Sequence, residues 1–176
     1  YLTDGAVEET TVTPRAGDEI EPDYGNLSAA TDLRAAANPL INPKYAEGIA
    51  TWWPIRYSGQ YYDFTNNNVY GVNDYTMNYS VAYLDVREAV QVVFAMGSDD
   101  SIQVLLDGVE IWGYAGARPF PGFVDLTLPQ DLEVGVHTLM VKTFNSAGGF
   151  NQGVRIQYPD GSLFMDTDTI CVSLSP

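Results

Sequence analysis

Gly97-Ser98-Asp99-Asp100-Ser101-Ile102-Gln103-Val104-Leu105-Leu106-Asp107-Gly108 is the stretch that decides the fold of this chain. Asp99 and Asp100 are adjacent carboxylates at a turn, where side-chain and backbone oxygens can converge. Ile102 to Leu106 then alternates into a strand. Asp107-Gly108 reads as a two-residue hairpin turn, because both central positions of such a turn need φ > 0. Val109-Glu110-Ile111-Trp112 is the returning strand. An acidic turn is thus held by a hairpin with one buried face, an arrangement that suits binding better than turnover.

The same rhythm extends in both directions. Upstream, Val81 to Val86 and Ala89 to Met96 read as strands with a turn at Arg87-Glu88. Downstream, residues 113–122 form a Gly- and Pro-rich loop holding Tyr114, Arg118 and Phe120. Val124, Leu126 and Leu128 alternate with Asp125 and Thr127, the pattern of a half-buried strand. Val136 to Asn145 is a strand followed by the loop Ser146-Ala147-Gly148-Gly149. Val154, Ile156 and Tyr158 alternate with Arg155 and Gln157, Pro159-Asp160-Gly161 is a turn, and Leu163 to Ser173 supplies one or two closing strands. Short strands punctuated by Gly, Pro, Asn and Asp predict an all-β fold, an antiparallel β-sandwich or jelly roll. At most one or two short helices fit. Ser28 to Ala37 is the plausible one, stopped by Asn38-Pro39.

At 176 residues the chain is expected to form one domain over residues 23–176. Residues 1–22 read as an acidic, Thr-rich arm or linker, with an edge strand near Glu9 to Thr13. The beginning at Tyr1 suggests a piece of a larger multimodular protein. A formal charge of −15 opposes binding to nucleic acid, whose phosphates it would repel, and to anionic membrane surfaces. No apolar run is long enough for membrane insertion. Cys171 is the single cysteine, so no disulfide forms within the chain and thiolate metal sites are excluded.

Three constellations carry candidate chemistry. Calcium takes six to eight oxygens, and Asp99 and Asp100 supply carboxylates, with Asn145, Asp107 or a loop carbonyl to complete the shell. The alternative is that the two acids cap their turn by accepting nearby amides. The second constellation is aromatic. Sugar C–H faces pack on rings while sugar hydroxyls bond short polar side chains. Trp52, Trp53, Trp112, Tyr114, Phe120 and Phe150 offer rings, with Arg118, Asn145, Asn151 and Gln152 among the polar groups. Large rings are also the stuff of cores; Trp112 suits either role, and Phe150, in a Gly-Gly-Phe-Asn loop, is the ring expected to be exposed. The third is catalytic. His137 is the sole histidine and reads as structural. No nucleophile elbow and no His-Glu-x-x-His motif is present. A carboxylate pair can hydrolyse a glycosidic bond, but Asp99 and Asp100 are too close in sequence to flank a sugar ring. No enzyme is expected.

Val81-Ala82-Tyr83-Leu84, the Gly97-to-Asp100 turn, Val104 to Gly108, Leu139 to Asn145, Gly148-Gly149-Phe150, Arg155-Ile156 and Asp160-Gly161 follow one another in an order that resembles a known family. It is that of carbohydrate-binding-module-like β-sandwich domains related to the PA14 superfamily, which are attached to glycoside hydrolases and surface proteins. The resemblance spans about Tyr75 to Gly161. In sugar-binding members the paired aspartates of the turn, joined in some by a cis peptide, hold a calcium ion that contacts the glycan. The resemblance therefore implies Asp99 and Asp100 as calcium ligands. Thr143-Phe144 and Phe150 depart from the residues commonest in that family at those positions.

The expectation is a noncatalytic carbohydrate-binding module of a larger secreted or cell-surface protein, calcium-assisted and binding a polysaccharide or glycan. Trp112, Tyr114, Arg118, Asn145 and Phe150 are the expected ligand contacts. The alternative is a structural or protein-interaction β-sandwich domain of a multimodular surface protein, in which the acidic turn only shapes loops.

Overall fold

A computed structural model describes residues 60–65 and 76–173; for 76, 77 and 79 it describes the backbone alone. The expected arm, the helix at Ser28 to Ala37, and Trp52 and Trp53 lie outside the described residues.

Among the described residues, ten strands make two antiparallel five-stranded sheets, the expected β-sandwich. The first sheet contains β1 (Tyr62–Asp63), β9 (Asn151–Gln157), β3 (Val90–Asp99), β6 (Asp125–Leu126) and β7 (Gln130–Leu132). Its order is β1-β9-β3-β6, with β7 also pairing β3. The second sheet runs β10 (Ile170–Ser173), β2 (Thr76–Val86), β8 (Gly135–Asn145), β4 (Ser101–Leu106) and β5 (Val109–Tyr114). No α-helix occurs among the described residues.

Period-two alternation builds the core. Val92, Phe94 and Met96 of β3 face Leu84 and Val86 of β2, Ile102 and Val104 of β4, and Leu139 and Val141 of β8. The β4–β5 hairpin turns at Asp107 and Gly108, with φ of 51° and 78°, as the Asp-Gly pair predicts. Gln103 to Leu106 of β4 also pairs Leu139 to Lys142 of β8, so the hairpin is fixed from both sides.

One strand inverts its expected faces. Val124, Leu126 and Leu128 are exposed, while Thr127 is buried and Asp125 half-buried. The cause is local bonding. Thr127 donates its amide to the Phe94 carbonyl at 3.0 Å, and its Oγ1 accepts the Phe94 amide at 3.1 Å. Asp125 is required inside as the partner of Arg118. Two polar anchors override the apolar alternation.

Candidate functional site

The chain changes sheets twice at one end of the sandwich. β3 passes into β4 at Asp99–Asp100, and β8 passes into β9 through residues 146–150. The Asp99–Asp100 peptide is cis. The two aspartates part company here.

Asp100 is buried. Its Oδ1 accepts the Arg118 amide at 2.9 Å, and its Oδ2 accepts the Ser146 amide at 2.7 Å and the Ser146 hydroxyl. Its own amide donates to the Phe144 carbonyl. Burial alone would push the Asp100 carboxyl up. The Ser146 hydroxyl and amide, with the Arg118 and Ala147 amides, outweigh burial and hold it below the usual carboxylate value. Asp100 therefore braces three segments: both crossovers and the loop that carries Arg118.

Asp99 is half-buried and faces outward. Burial, then the negative charge of Asp100, push its carboxyl above the ordinary value, and Asp63 adds to the repulsion. The Phe120 amide and the Asn151 side chain partly offset this. Asp63 pairs with Asn151, and Asn151 pairs with Asp99. Directly paired residues project to one face, so Asp63, Asn151 and Asp99 form a row across β1, β9 and β3. Asn151 reaches Asp99 with a long 3.5 Å bond through Nδ2, and its buried Oδ1 has no hydrogen-bond partner among the described residues.

The next row on that face is ringed. Gly153 pairs with Gly97, and the two glycines leave a flat floor. A Cβ at Gly153 would meet Phe123 at 2.9 Å and Tyr61 at 3.0 Å, and one at Gly97 would meet the Gly122 carbonyl at 2.0 Å. Tyr61 stacks on Phe120 with centroids 4.5 Å apart, and Phe120 meets Phe123 edge-on at 6.1 Å. Arg155 lies over Phe123, its Cζ 4.6 Å from the ring. Tyr61 is 40% exposed. The far side of Asp99 is kept open by Gly149, where a Cβ would stand 2.5 Å from Asp99 Oδ2.

The expected ligand contacts divide. Arg118 and Tyr114 stand beside Asp100: the guanidinium lies 4.0 Å over the Tyr114 ring, bonds the Ser98 carbonyl and hydroxyl at 3.2 and 3.0 Å, and pairs with Asp125. Arg118 is thereby committed to holding its loop. Trp112 is two residues further from the corner than Tyr114, half-buried against the core, and its Nε1 is buried with no partner among the described residues. Asn145 is wholly buried at the end of β8.

The expected exposure of Phe150 is corrected. Phe150 is fully buried, its ring 4.6 Å from Phe64, and its carbonyl accepts the Phe64 amide at 2.8 Å. The glycine loop ends one residue earlier than its composition suggests. Phe150 already alternates with outward Asn151, so it points inward. Asp107 does not join the corner either. It lies at the far end of β4, about 20 Å away at ~3.3 Å per residue.

Sequence reasoning missed Asp63, which carries no local signal; only the strand register places it beside Asn151. Among the described residues no group of three or more His, Cys, Asp or Glu side chains converges as a metal site, and no helix is long and apolar enough to cross a membrane. No protein-family model, curated protein or solved structure matches the chain.

Proposed function

We propose that this chain is a noncatalytic carbohydrate-binding module, calcium-assisted, of a larger secreted or cell-surface protein, as its resemblance to the PA14-related domains implies. The observation that carries the reading is the outward row Asp63–Asn151–Asp99 lying next to the stacked, part-exposed rings of Tyr61 and Phe120. Rings take the C–H face of a sugar. Carboxylates and an amide take its hydroxyls.

The donor set suits calcium in part. Asp99 and Asp63 carry hard carboxylate oxygens, and the Asn151 Oδ1 has no donor among the described residues. Bound there, calcium would supply positive charge to the repelling carboxylates and coordination sites for vicinal sugar hydroxyls. Asp100, the other aspartate of the resemblance, already accepts donors at both oxygens. Its part is to hold the corner that presents Asp99. So few protein contacts predict weak affinity for one module, on the order of micromolar to millimolar, raised by avidity in a multimodular chain.

The second reading is a structural or protein-interaction module. It is favoured by the saturated Asp100 carboxylate and the interior positions of Asn145 and Phe150. A glycan array of plant, algal and host polysaccharides, run with calcium and with chelator, separates the two. Binding that chelation weakens supports the module. An empty array, beside a recovered protein partner, favours the second reading.

A further inference from the structure

The opposite end of the sandwich carries a cluster that glycan binding leaves unused. β4 and β5 turn at Asp107–Gly108, and β7 and β8 turn at Glu133–Val134. His137 stands on β8 between the two turns. Its Nδ1 lies 2.7 Å from Asp107 Oδ2, and its Nε2 lies 2.9 Å from the Glu133 carbonyl oxygen. Asp107 is fixed in turn. Its Oδ1 accepts the Thr138 amide at 2.8 Å, and its own amide donates to the Thr138 carbonyl at 2.8 Å.

A carbonyl oxygen only accepts, and so does an ionised carboxylate. Both ring nitrogens must therefore donate. Imidazole has two N–H groups only as the cation. A neutral ring, in either tautomer, sets a lone pair against an acceptor at one of the two positions. We propose that His137 is a proton-operated latch: as imidazolium it ties the β4–β5 turn to the β7–β8 turn, and on losing its proton it releases one of them.

Among the described residues, the groups facing the ring are few. Asp107 comes from the hairpin turn and Glu133 from the β7–β8 turn. From β2 the paired residue is Leu84, which is apolar. Asp85 and its partner Arg87 are offset by one residue or more, and Asp85 alternates to the other face. Burial pushes the imidazole down, but the bonds to Asp107 and Glu133, with the charges of both acids, lift it above the ordinary 6.5. A group raised on folding stabilises fully below its unfolded value and loses that contribution as pH rises through the folded one. The latch is thus closed in mild acid and opens as pH rises through a midpoint above 6.5.

His137 is the sole histidine, so one ring reports the state without ambiguity. In the 15N-labelled full chain at about pH 6, both ring nitrogens should carry protons. The titration midpoint should lie above 6.5, and Asp107→Asn should lower it. The melting temperature should fall as pH rises from 6.5 through that midpoint, and His137→Gln should flatten that fall. A neutral tautomer at about pH 6, a wild-type midpoint at or below 6.5, or an unchanged pH dependence in His137→Gln would overturn the latch.

Discussion

Asp100 accepts both the amide and the hydroxyl of Ser146, 46 residues further along the chain, at a single carboxylate oxygen. The bond joins the two places where the chain crosses between sheets. Its other oxygen takes the amide of Arg118, so the loop over the outer face is tied to the same point. Loss of this carboxylate leaves three backbone donors and a hydroxyl without their acceptor.

Asp100→Ala should therefore destabilise the domain by about 3 kcal/mol, the scale of a buried, charge-assisted network. That corresponds to a melting temperature lower by about 6–12 °C. The acid limb gives the sign. Asp100 is depressed below its unfolded value of 3.8, so its contribution is present above that value and fades as pH falls through the lower folded one. Asp100→Asn should flatten that limb in acid denaturation curves. An Asp100→Ala variant as stable as the parent would remove Asp100 from the brace.

Phe150 separates core from binding surface. As an interior ring on Phe64, its replacement by Ala should cost about 3–5 kcal/mol in denaturant unfolding. An exposed sugar platform would lose affinity instead and keep its stability. A change of less than about 1 kcal/mol would place the ring outside.

The hairpin at Asp107-Gly108 was legible because few residue pairs support its turn, and β8 because β-branched and apolar residues make up most of it. The strand at Val124 to Leu128 was legible as alternation but not as orientation. Period two marks two faces without saying which is covered, and here Thr127 and Asp125 take the inner one through specific bonds. Phe150 was misplaced because Gly148-Gly149 signals a loop without fixing where the loop ends. The split between Asp99 and Asp100 was out of reach of sequence. Which carboxylate meets Ser146 and which meets Asn151 depends on strand register across gaps of tens of residues. Asp63 was hidden for the same reason.

Asp99 and Asp100 should titrate apart. Burial and the charges of Asp100 and Asp63 raise Asp99, whereas Asp100 is lowered. The proposed glycan and calcium binding would need Asp99 ionised, so both should fade with acidification while Asp100 still holds the fold. Carboxylate 13C titration should give Asp99 the higher midpoint, and circular dichroism should show the fold intact when binding is lost. Binding and fold failing at the same pH would contradict this ordering.

Asp99→Asn tests the outward corner most directly. The substitution removes a charge that the carboxylates of Asp100 and Asp63 repel, so the melting temperature should stay level or rise slightly. On a glycan array in calcium, the parent chain should bind at least one polysaccharide and Asp99→Asn should lose that signal by tenfold or more, about 1.4 kcal/mol. Equal binding by parent and variant would contradict the assignment of the site to the Asp63–Asn151–Asp99 row.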